Sequence, residues 1–578
     1  MRETLRRWWP AVKILLTVAI LGLTACNADR VASPSPVLTL EPCAAAGGTV
    51  QLSVLQGATI SCTAGGTIDL GGDGAHYLVV PQFATGDVSN TSVAYTIGVP
   101  SAGVTASVAA AYDAEVSVAA PPALPPQAAF DFSLRAAERS AVASGRWVSE
   151  TKTTTPPLSA RILSESPAVG SLRDFRVISS IDVDNPTFKT VTARLSFAGQ
   201  NMLIYIDTLA PPNGFSPDQL TAFGQLFDQT LYPIDIDAFG APSDVDQTGT
   251  VIMLLSPVVN SLTPKAQCST QGFVAGFFDG YDLVSTSANS NKGEIFYGVV
   301  PDPTGSVSCA HSVVDLDRTV PPTFLHELQH LISFSQHVVV HHGQEEEGWL
   351  DEGMSIVAEE LGSVYYEQRF PPPTGRTNAS QVFPDSSQGF ISGLLGDSYT
   401  YLLRTDTATA TLHSDSDGGL AWRGSDWLLL RWLGDQKGAG FYRQLEQGSS
   451  IGVANIEAAS GESFQSLFGD FSTSLWTDSI VAVPKSSIPP RNRFSTRTLR
   501  VLYQALYNAA GPSAQVPRPY PVQLTTLPIG STLNGTMAFY RLDAGAGSGT
   551  VRLQFSTSAS GSFAGNLHSQ VSIFRLPN

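Results

Sequence analysis

Charged side chains are scarce in this chain, and basic ones are the scarcest. Only 14% of its 578 residues are charged, and 33 Lys and Arg are set against 50 Asp and Glu, which gives a formal net charge of −17. No cluster of Lys and Arg follows the N-terminus. Because nucleic-acid binding depends on basic patches that neutralise phosphates, we expect no nucleic-acid partner.

Long apolar runs are also nearly absent. The one clear run, ILLTVAILGL at 14–23, is shorter than a membrane-spanning helix, which needs about 18 residues. It follows a basic N-terminal segment. This pattern predicts a signal peptide. The tetrapeptide LTAC resembles the bacterial lipobox, and that resemblance implies cleavage before Cys26 and lipidation of its thiol. An uncleaved membrane anchor and a plain secretory signal remain the alternatives.

The residue after the lipobox cysteine bears on location. In enteric bacteria an aspartate at this position retains a lipoprotein in the inner membrane, whereas this chain has Asn27. We therefore expect an extracytoplasmic, lipid-anchored protein at the outer membrane or cell surface of a bacterium.

Cysteine is rare, and its spacing excludes one kind of metal site. The chain has five cysteines and no C-x-x-C pair, which argues against a zinc–thiolate centre. Lipidation of Cys26 leaves four, and an even number in an exported chain predicts two disulfides. Three pairings are possible, and proximity along the chain favours Cys43–Cys62 and Cys268–Cys309.

The chain is too long for a single core, and its composition changes along its length. Segments that alternate apolar and polar residues predict strands near both ends, whereas helical patterns dominate from 321 to about 475. The Pro-rich stretch APPALPPQ (120–127) marks a boundary. The predicted divisions are a lipoprotein signal peptide at 1–25, a tether at 26–36, an N-terminal β domain at 37–119, a Pro-rich linker and helix at 120–174, a central mixed domain at 175–482 and a C-terminal β domain at 483–578.

The segment PPTFLHELQHLISFSQ carries the strongest chemical signal, and its two prolines at 321–322 suit a helix start. On a helix, His326 and His330 emerge on one face about 5–6 Å apart. Two imidazoles so placed can bind one zinc ion, and Glu327 lies beside the metal within reach of a bound water. The alternative is a surface helix that carries two histidines by coincidence. The flanking apolar residues favour a buried helix.

A catalytic zinc needs a third protein ligand, and spacing excludes one class of site. In the metzincin pattern a third histidine would fall at Gln336, and His337 is one residue late. His341 and His342 belong to VVVHHGQEEEG, which is typical of an exposed loop.

A second helix supplies a better candidate. The segment GWLDEGMSIVAEELGS (348–363) is predicted to be helical, with Gly362 as its C-terminal stop. Glu352 can complete a site with two histidines, and Glu359 lies two turns further on, where its carboxylate can orient a ligating imidazole. Asp351 points to another face and is predicted to cap the helix.

The motif HELQH followed by WLDEGMS resembles the gluzincin metallopeptidases, and within them it is most similar to the hyicolysin type. The resemblance is specific over about 320–362 and loose over 175–475. It implies zinc ligands at His326, His330 and Glu352, Glu327 as general base and a protein or peptide substrate. It also implies a zincin-like catalytic domain at 175–482. Together with the strand patterns near both ends of the chain, this predicts an α+β multidomain fold in which β-sandwich-like domains flank the catalytic domain.

Two parts of a peptidase site stay open. Gluzincins supply a Tyr or His to stabilise the oxyanion, but Arg423 stands where the tyrosine is expected, so Arg423, Tyr399 and Tyr401 are the candidates. The strand EIFYGVV (294–300) is either the edge strand that holds an extended substrate or an internal strand of the sheet.

The turn DVDQTG (244–249) has the spacing of a calcium loop at Asp244 and Asp246. It lacks the bidentate glutamate that ends an EF-hand loop. Calcium binding at these two residues and an ordinary polar turn are therefore both open.

The favoured function is a lipid-anchored zinc endopeptidase that activates water with Glu327 as general base. One alternative is a catalytically silent surface lipoprotein that keeps the scaffold for binding. Another is a zinc hydrolase that acts on a bond other than a peptide. The sequence does not indicate the natural substrate or the oligomeric state.

Overall fold

The computed structural model describes residues 43, 49–85, 93–99, 124–147, 167–183, 185–284, 289–369, 385–409, 411, 421–502, 522–523, 529–532, 535–547, 549–557 and 561–578. The predicted signal peptide, Cys26 and the tether lie outside these residues. Within the described part of the chain, no helix combines the length and apolarity needed to cross a membrane.

The described strands form three sheets. In chain order the strands are β1 (Gly57–Ser61), β2 (Gly66–Gly71), β3 (His76–Phe83), β4 (Val93–Gly98), β5 (Leu172–Ile178), β6 (Phe188–Ala198), β7 (Met202–Asp207), β8 (Val251–Leu255), β9 (Gly276–Phe278), β10 (Ile295–Gly298), β11 (Val522–Gln523), β12 (Ile529–Thr532), β13 (Tyr540–Asp543), β14 (Thr550–Thr557) and β15 (Ser569–Leu576).

The helices lie mostly in the middle of the chain. They are α1 (Pro126–Ala143), α2 (Pro217–Leu226), α3 (Tyr232–Phe239), α4 (Pro257–Asn260), α5 (Lys265–Gln271), α6 (Val313–Phe334), α7 (Gly348–Arg369), α8 (Asp385–Leu402), α9 (Ala421–Lys437), α10 (Phe441–Glu446), α11 (Gly452–Ser460) and α12 (Phe464–Thr477). The mixture of sheets and helices confirms the predicted α+β class.

A six-stranded mixed sheet forms the floor of the central region, in the order β5-β6-β7-β8-β10-β9. Strands β7, β8 and β10 run parallel, and β9 pairs antiparallel to β10 at the edge. The segment EIFYGVV is therefore internal, and the edge strand is β9. Sequence alternation does not reveal this order, because a short strand such as β9 carries little pattern.

Strands from both ends of the chain build one β unit. Its two sheets have the orders β1-β15-β3-β13-β11 and β12-β4-β14-β2. The predicted β segments at 37–119 and 483–578 thus pair with one another instead of standing as separate bodies. Strand periodicity identifies the strands but not their partners, which explains the difference.

Both predicted disulfides are present in the structure. Cys43 is bonded to Cys62, and Cys268 is bonded to Cys309. The pairing by proximity along the chain is therefore confirmed. The first bridge lies in the β unit, and the second joins α5 to the loop before α6.

Helix α6 begins earlier than the sequence suggested. Ser312 is its N-cap and forms a capping box with Asp315, so the prolines at 321–322 lie inside the helix and not at its start. Phe324 then packs edge-on against the rings of Phe227 and Phe296, with centroids 4.9 and 5.5 Å away. These contacts hold α6 on the central sheet.

Helix α7 does not stop at Gly362 but continues to Arg369. A Cβ at position 362 would lie 2.6 Å from Phe390 and 2.7 Å from Leu325. The glycine therefore permits the close approach of α6, α7 and α8. The prediction that Gly362 ends the helix is wrong, because this glycine makes room for neighbouring helices.

Glu360, one residue beyond Glu359 on α7, is fully buried among cations. Arg497 Nε donates to its Oε1 at 2.8 Å, and Arg431 Nη1 donates to its Oε2 at 3.4 Å. Burial raises the pKa of Glu360, but the two guanidinium groups outweigh burial and hold this pKa below its ordinary value. The carboxylate therefore stabilises the fold above pH 4.5, and this contribution is lost as the pH falls further.

We expect Glu360→Gln to lower the free energy of unfolding by about 3–5 kcal/mol at pH 7, because it leaves buried guanidinium groups without their counter-charge. Denaturant titrations at pH 7 and pH 4 measure the effect, and the deficit should shrink at the lower pH. The control is Glu367→Gln, since Glu367 is a more exposed partner of Arg497 and should cost about 1 kcal/mol or less. Equal losses in both variants would contradict the expectation.

Candidate metal centre

Three buried side chains converge where α6 crosses α7. His326 and His330 come from α6 and Glu352 from the first turn of α7, and all three are at most 3% exposed. The two Nε2 atoms are 3.2 Å apart. Glu352 Oε2 lies 3.5 Å from His326 Nε2, and Glu352 Oε1 lies 3.8 Å from His330 Nε2.

This spacing fits one metal ion. Two ligands of a tetrahedral zinc ion lie about 3.3 Å apart when each is about 2.0–2.1 Å from the metal. The measured separations bracket that value. Glu352 Oε1 also has no hydrogen-bond partner among the described residues, although it is buried. A buried carboxylate oxygen facing imidazole nitrogens is the environment a cation would satisfy.

Each histidine is oriented by a carboxylate on its far nitrogen. Glu359 Oε1 lies 2.8 Å from His326 Nδ1, where the sequence predicted an orienting carboxylate. Asp351 Oδ2 lies 3.0 Å from His330 Nδ1, a charge contact whose angles fall outside those of a hydrogen bond. Both imidazoles therefore present Nε2 to the centre.

The prediction that Asp351 caps α7 from another face is wrong, because its carboxylate contacts His330. Asp351 is 2% exposed and faces His330, because the first turn of α7 lies directly against α6. The crossing of the two helices, which local sequence does not encode, decides which face of α7 meets the histidines.

The charge states suit a cation at the centre. Burial raises the pKa of Glu352, but His326 and Arg423 outweigh it and hold this pKa well below its ordinary value. Burial also lowers the pKa of His330, which favours the neutral imidazole that binds metals. Burial lowers the pKa of His326, but Glu352 and Glu359 outweigh it and raise this pKa to about 10, so a metal that binds Nε2 has to displace a proton from this ring. The donor set is thus a carboxylate, one neutral imidazole and one imidazole that gives up its proton on binding.

Glu327 lies next to this centre and is 1% exposed. Its Oε2 accepts a hydrogen bond of 2.9 Å from the backbone N–H of Phe278 on β9, while its Oε1 has no hydrogen-bond partner among the described residues. Burial, followed by the nearby Asp131 carboxylate, raises the pKa of Glu327 well above its ordinary value. One oxygen is held and the other is left for proton transfer.

Arg423 pairs with two carboxylates of the site, those of Glu352 and Glu359. Its Nη1 donates to Glu352 Oε2 at 3.0 Å, and its Nη2 lies 3.7 Å from Glu359 Oε1. The guanidinium thus positions Glu352. Tyr401 is buried in the main hydrophobic core, and Tyr399 packs against that core. Oxyanion stabilisation by any of these three residues stays a prediction.

The remaining histidines of this region lie elsewhere. His337 is buried with Glu446 and Glu346, 3.8 and 4.0 Å away, and burial lowers its pKa to about 4. His341 and His342 are exposed, as the sequence predicted for a loop. Gln336, at the metzincin position, donates to the backbone oxygen of Ala241.

In the structure, a third carboxylate, that of Glu294, lies close to the two aspartates of the predicted calcium turn. Oxygens of Asp244, Asp246 and Glu294 lie within 4.8 Å of one another. Several already accept hydrogen bonds from the turn, including Gly249 N–H to Asp244 at 2.8 Å and Val245 N–H to Glu294 at 3.0 Å. The polar turn therefore has its own stabilisation, and calcium binding stays a prediction.

One contributor was missed by sequence reasoning. Helix α1 packs beside the centre and buries Asp131, Arg135 and Glu138. Their spacing of four and three residues places them on one helix face, but the same pattern is typical of a solvated face. Only the tertiary structure distinguishes the two.

Fold and centre together define a class. An α+β chain that presents two histidines from one helix and a glutamate from the next has the donor set of hydrolytic zinc enzymes of the thermolysin kind. No family model matches the chain. Neutral metalloprotease ShpI of Staphylococcus hyicus is 27% identical over 193 residues, which are 33% of this chain and 40% of that protein.

This chain therefore spans about two fifths of the length of the relative that it matches. The similarity relates the chain to metalloproteases and implies a bound metal.

Proposed function

We propose that this chain is a lipid-anchored, extracytoplasmic zinc endopeptidase with zinc ligands His326, His330 and Glu352. The observation that carries the proposal is the convergence of three buried ligand atoms beside the carboxylate of Glu327. When bound at these residues, zinc polarises the scissile carbonyl and makes an adjacent water more acidic.

Glu327 moves the proton in this proposal. The Phe278 N–H fixes its Oε2, so Oε1 is the atom that takes a proton from the attacking water. Glu327 then passes the proton to the leaving amine nitrogen. Its raised pKa brings the carboxylate closer to neutral pH, where such transfer is most effective.

Arg423 and Glu359 serve as positioning residues. Arg423 restrains one oxygen of Glu352, and Glu359 restrains Nδ1 of His326. We assign substrate binding to the region beside Glu327 and the Phe278 N–H, because the edge carbonyls of β9 at Gly276 and Phe278 already accept hydrogen bonds from α1.

The two alternatives from the sequence are a silent binding lipoprotein and a zinc hydrolase for another bond. The placement of Glu327 favours catalysis over binding, since a buried carboxylate with a free oxygen beside the ligands is costly unless it acts. The similarity to a neutral metalloprotease favours a peptide over other substrates.

The test is metal content together with peptide hydrolysis by the full chain. About one zinc per chain and casein cleavage abolished by a chelator and restored by zinc are expected. Absence of bound zinc would overturn the proposal. Bound zinc without cleavage would favour the silent lipoprotein, and cleavage of esters alone would favour the non-peptide hydrolase.

The lipid anchor is tested separately. A Cys26→Ser chain expressed in a bacterial host should no longer incorporate labelled fatty acid and should leave the membrane fraction. Unchanged labelling would contradict attachment at Cys26.

Asp351→Asn is expected to weaken zinc binding about 10–100-fold, because the neutral amide no longer holds the His330 proton with a charge. Competition with a chromophoric chelator measures the affinity. Asp317→Asn, on an exposed part of α6, is the control and should bind zinc as the native chain does. An unchanged affinity in Asp351→Asn would remove the orienting role of this carboxylate.

A further inference from the structure

A second group of carboxylates lies at the amino ends of two neighbouring strands. Asp244 and Asp246 belong to the turn that leads into β8, and Glu294 directly precedes β10. The two strands are parallel neighbours, and the Ile252 N–H donates to the Glu294 carbonyl at 2.8 Å. The pairing of the strands therefore brings acidic side chains from two separate segments to one place, with one oxygen of each within 4.8 Å of the others.

Hydrogen bonds from the turn hold part of this group. Ser243 Oγ and the Val245 N–H donate to Glu294 Oε1, at 2.8 and 3.0 Å. The N–H and the hydroxyl of Thr248 both donate to Asp246 Oδ1, at 3.1 and 2.8 Å. In each of these two side chains the donors meet one oxygen and fix the direction of the other.

The second oxygen of Glu294 lacks a partner. Glu294 is 2% exposed, and its Oε2 receives no hydrogen bond from any residue that the structure describes. The Val245 N–H that holds Oε1 lies between the two aspartates in the chain, so the carboxylate faces the turn. Because a buried carboxylate oxygen without a donor is costly, Oε2 requires a cation or a proton.

Negative charge is crowded at this place. Burial, together with Asp246 and Asp244, raises the pKa of Glu294 to about 7. Burial is also the main cause of the raised pKa of Asp246, which Arg173 offsets only in part. The guanidinium of Arg173 donates to the Asn291 carbonyl at 3.0 Å and forms no ion pair with Asp246 in the described part of the chain. No basic side chain among these groups therefore neutralises the carboxylates by contact.

The kind of donor atom selects the kind of ion. The group contains carboxylates and neither histidine nor cysteine, and such oxygen donors favour hard cations over zinc. Calcium takes about six to eight oxygens at about 2.3–2.6 Å, so oxygens within 4.8 Å of one another can reach one ion. Magnesium keeps several waters and is usually bound by about one or two carboxylates, so three carboxylates favour calcium.

We propose that Asp244, Asp246 and Glu294 bind a calcium ion that fastens the turn before β8 to the start of β10. The ion satisfies Glu294 Oε2 and offsets the repulsion among the three carboxylates. Its role is structural, and its ligands are separate from those of the zinc centre, so the inference does not rest on the proposed function.

The same turn holds the end of the helix that carries the two histidines. Ser335, the first residue after α6, places its Oγ 3.0 Å from Ser243 Oγ. Gln336 Nε2 donates to the Ala241 carbonyl at 2.7 Å. A calcium ion that orders the turn therefore also restrains the end of α6.

Calorimetric titration with calcium chloride tests the site in the full chain, which is first dialysed free of calcium and given one equivalent of zinc. We expect about one calcium ion per chain with a Kd of about 10⁻⁴ M, and magnesium should bind at least about tenfold more weakly. Glu294→Gln and Asp246→Asn should each weaken calcium binding at least about tenfold, because each removes one charged ligand. The matched control is Asp237→Asn, an exposed acid of α3, which should bind calcium as the native chain does.

Thermal unfolding and hydrogen exchange give the second readout. Calcium at about 100 times its Kd should raise the unfolding midpoint of the native chain by about 3 °C and leave that of Glu294→Gln unchanged. Calcium should also slow amide exchange in the segments 241–250 and 335–340 of the native chain. Asp246 is less buried than Glu294, so Asp246→Asn keeps the test valid if Glu294→Gln folds poorly.

The outcomes separate this site from the peptidase. A native chain that binds no calcium would overturn the inference and leave a proton as the partner of Glu294. Both variants binding calcium as tightly as the native chain would also overturn it, and magnesium binding as tight as that of calcium would overturn the choice of ion. Calcium binding that the variants lose, in a chain that hydrolyses no peptide, would support the calcium site and count against the proposed function alone.

Discussion

A chain with Glu327→Gln is expected to keep its zinc and to lose peptide hydrolysis by about 10²–10⁴-fold in kcat. The amide retains the shape of the side chain and its contact with the Phe278 N–H, but it cannot accept the proton of the attacking water.

Metal content decides how this result is understood. Zinc near one per chain together with the lost rate identifies a defect in proton transfer, whereas lost zinc would identify a damaged centre. Asp317→Asn is the control for a neutralised carboxylate on α6. A Glu327→Gln chain that retains most of its kcat would rule out Glu327 as the general base.

The second large effect is expected from Glu352→Gln, which should abolish zinc binding at the concentrations used for the native chain. The neutral amide is a poor ligand, and the substitution also removes the carboxylate bonded to Arg423. The loss should exceed the about 10–100-fold fall expected for the matched variant Glu359→Gln, which changes only the support of His326.

Chelator competition ranks the two glutamate variants. Equal zinc affinity in Glu352→Gln and Glu359→Gln would remove Glu352 from the set of ligands. A third carboxylate, such as Asp131, would then have to complete the centre.

The ligand candidates were predictable because their geometry is local. A helix fixes His326 and His330 on one face, and a second helix fixes the interval between Glu352 and Glu359. Disulfide partners were predictable because they are near in sequence. Both kinds of relationship can be predicted without knowledge of the tertiary structure.

The supporting groups were not predictable, because they depend on helix crossings. Asp351 reaches His330 only through the angle between α6 and α7, and Arg423 reaches Glu352 from α9. The edge position of β9 and the seating of α1 on it join segments far apart in the chain. Sequence periodicity gives each element but no distance between elements.

The interleaving of strands from both ends has a consequence for a chain that is cut once. The segment with β1 to β4 is hydrogen-bonded to β12 to β15 in both sheets. A single scission between α1 and β5 would therefore leave two polypeptides that elute as one particle and separate only on denaturing electrophoresis. A cut at this point would give two chains without changing the size of the particle, because the paired strands would keep the two segments together.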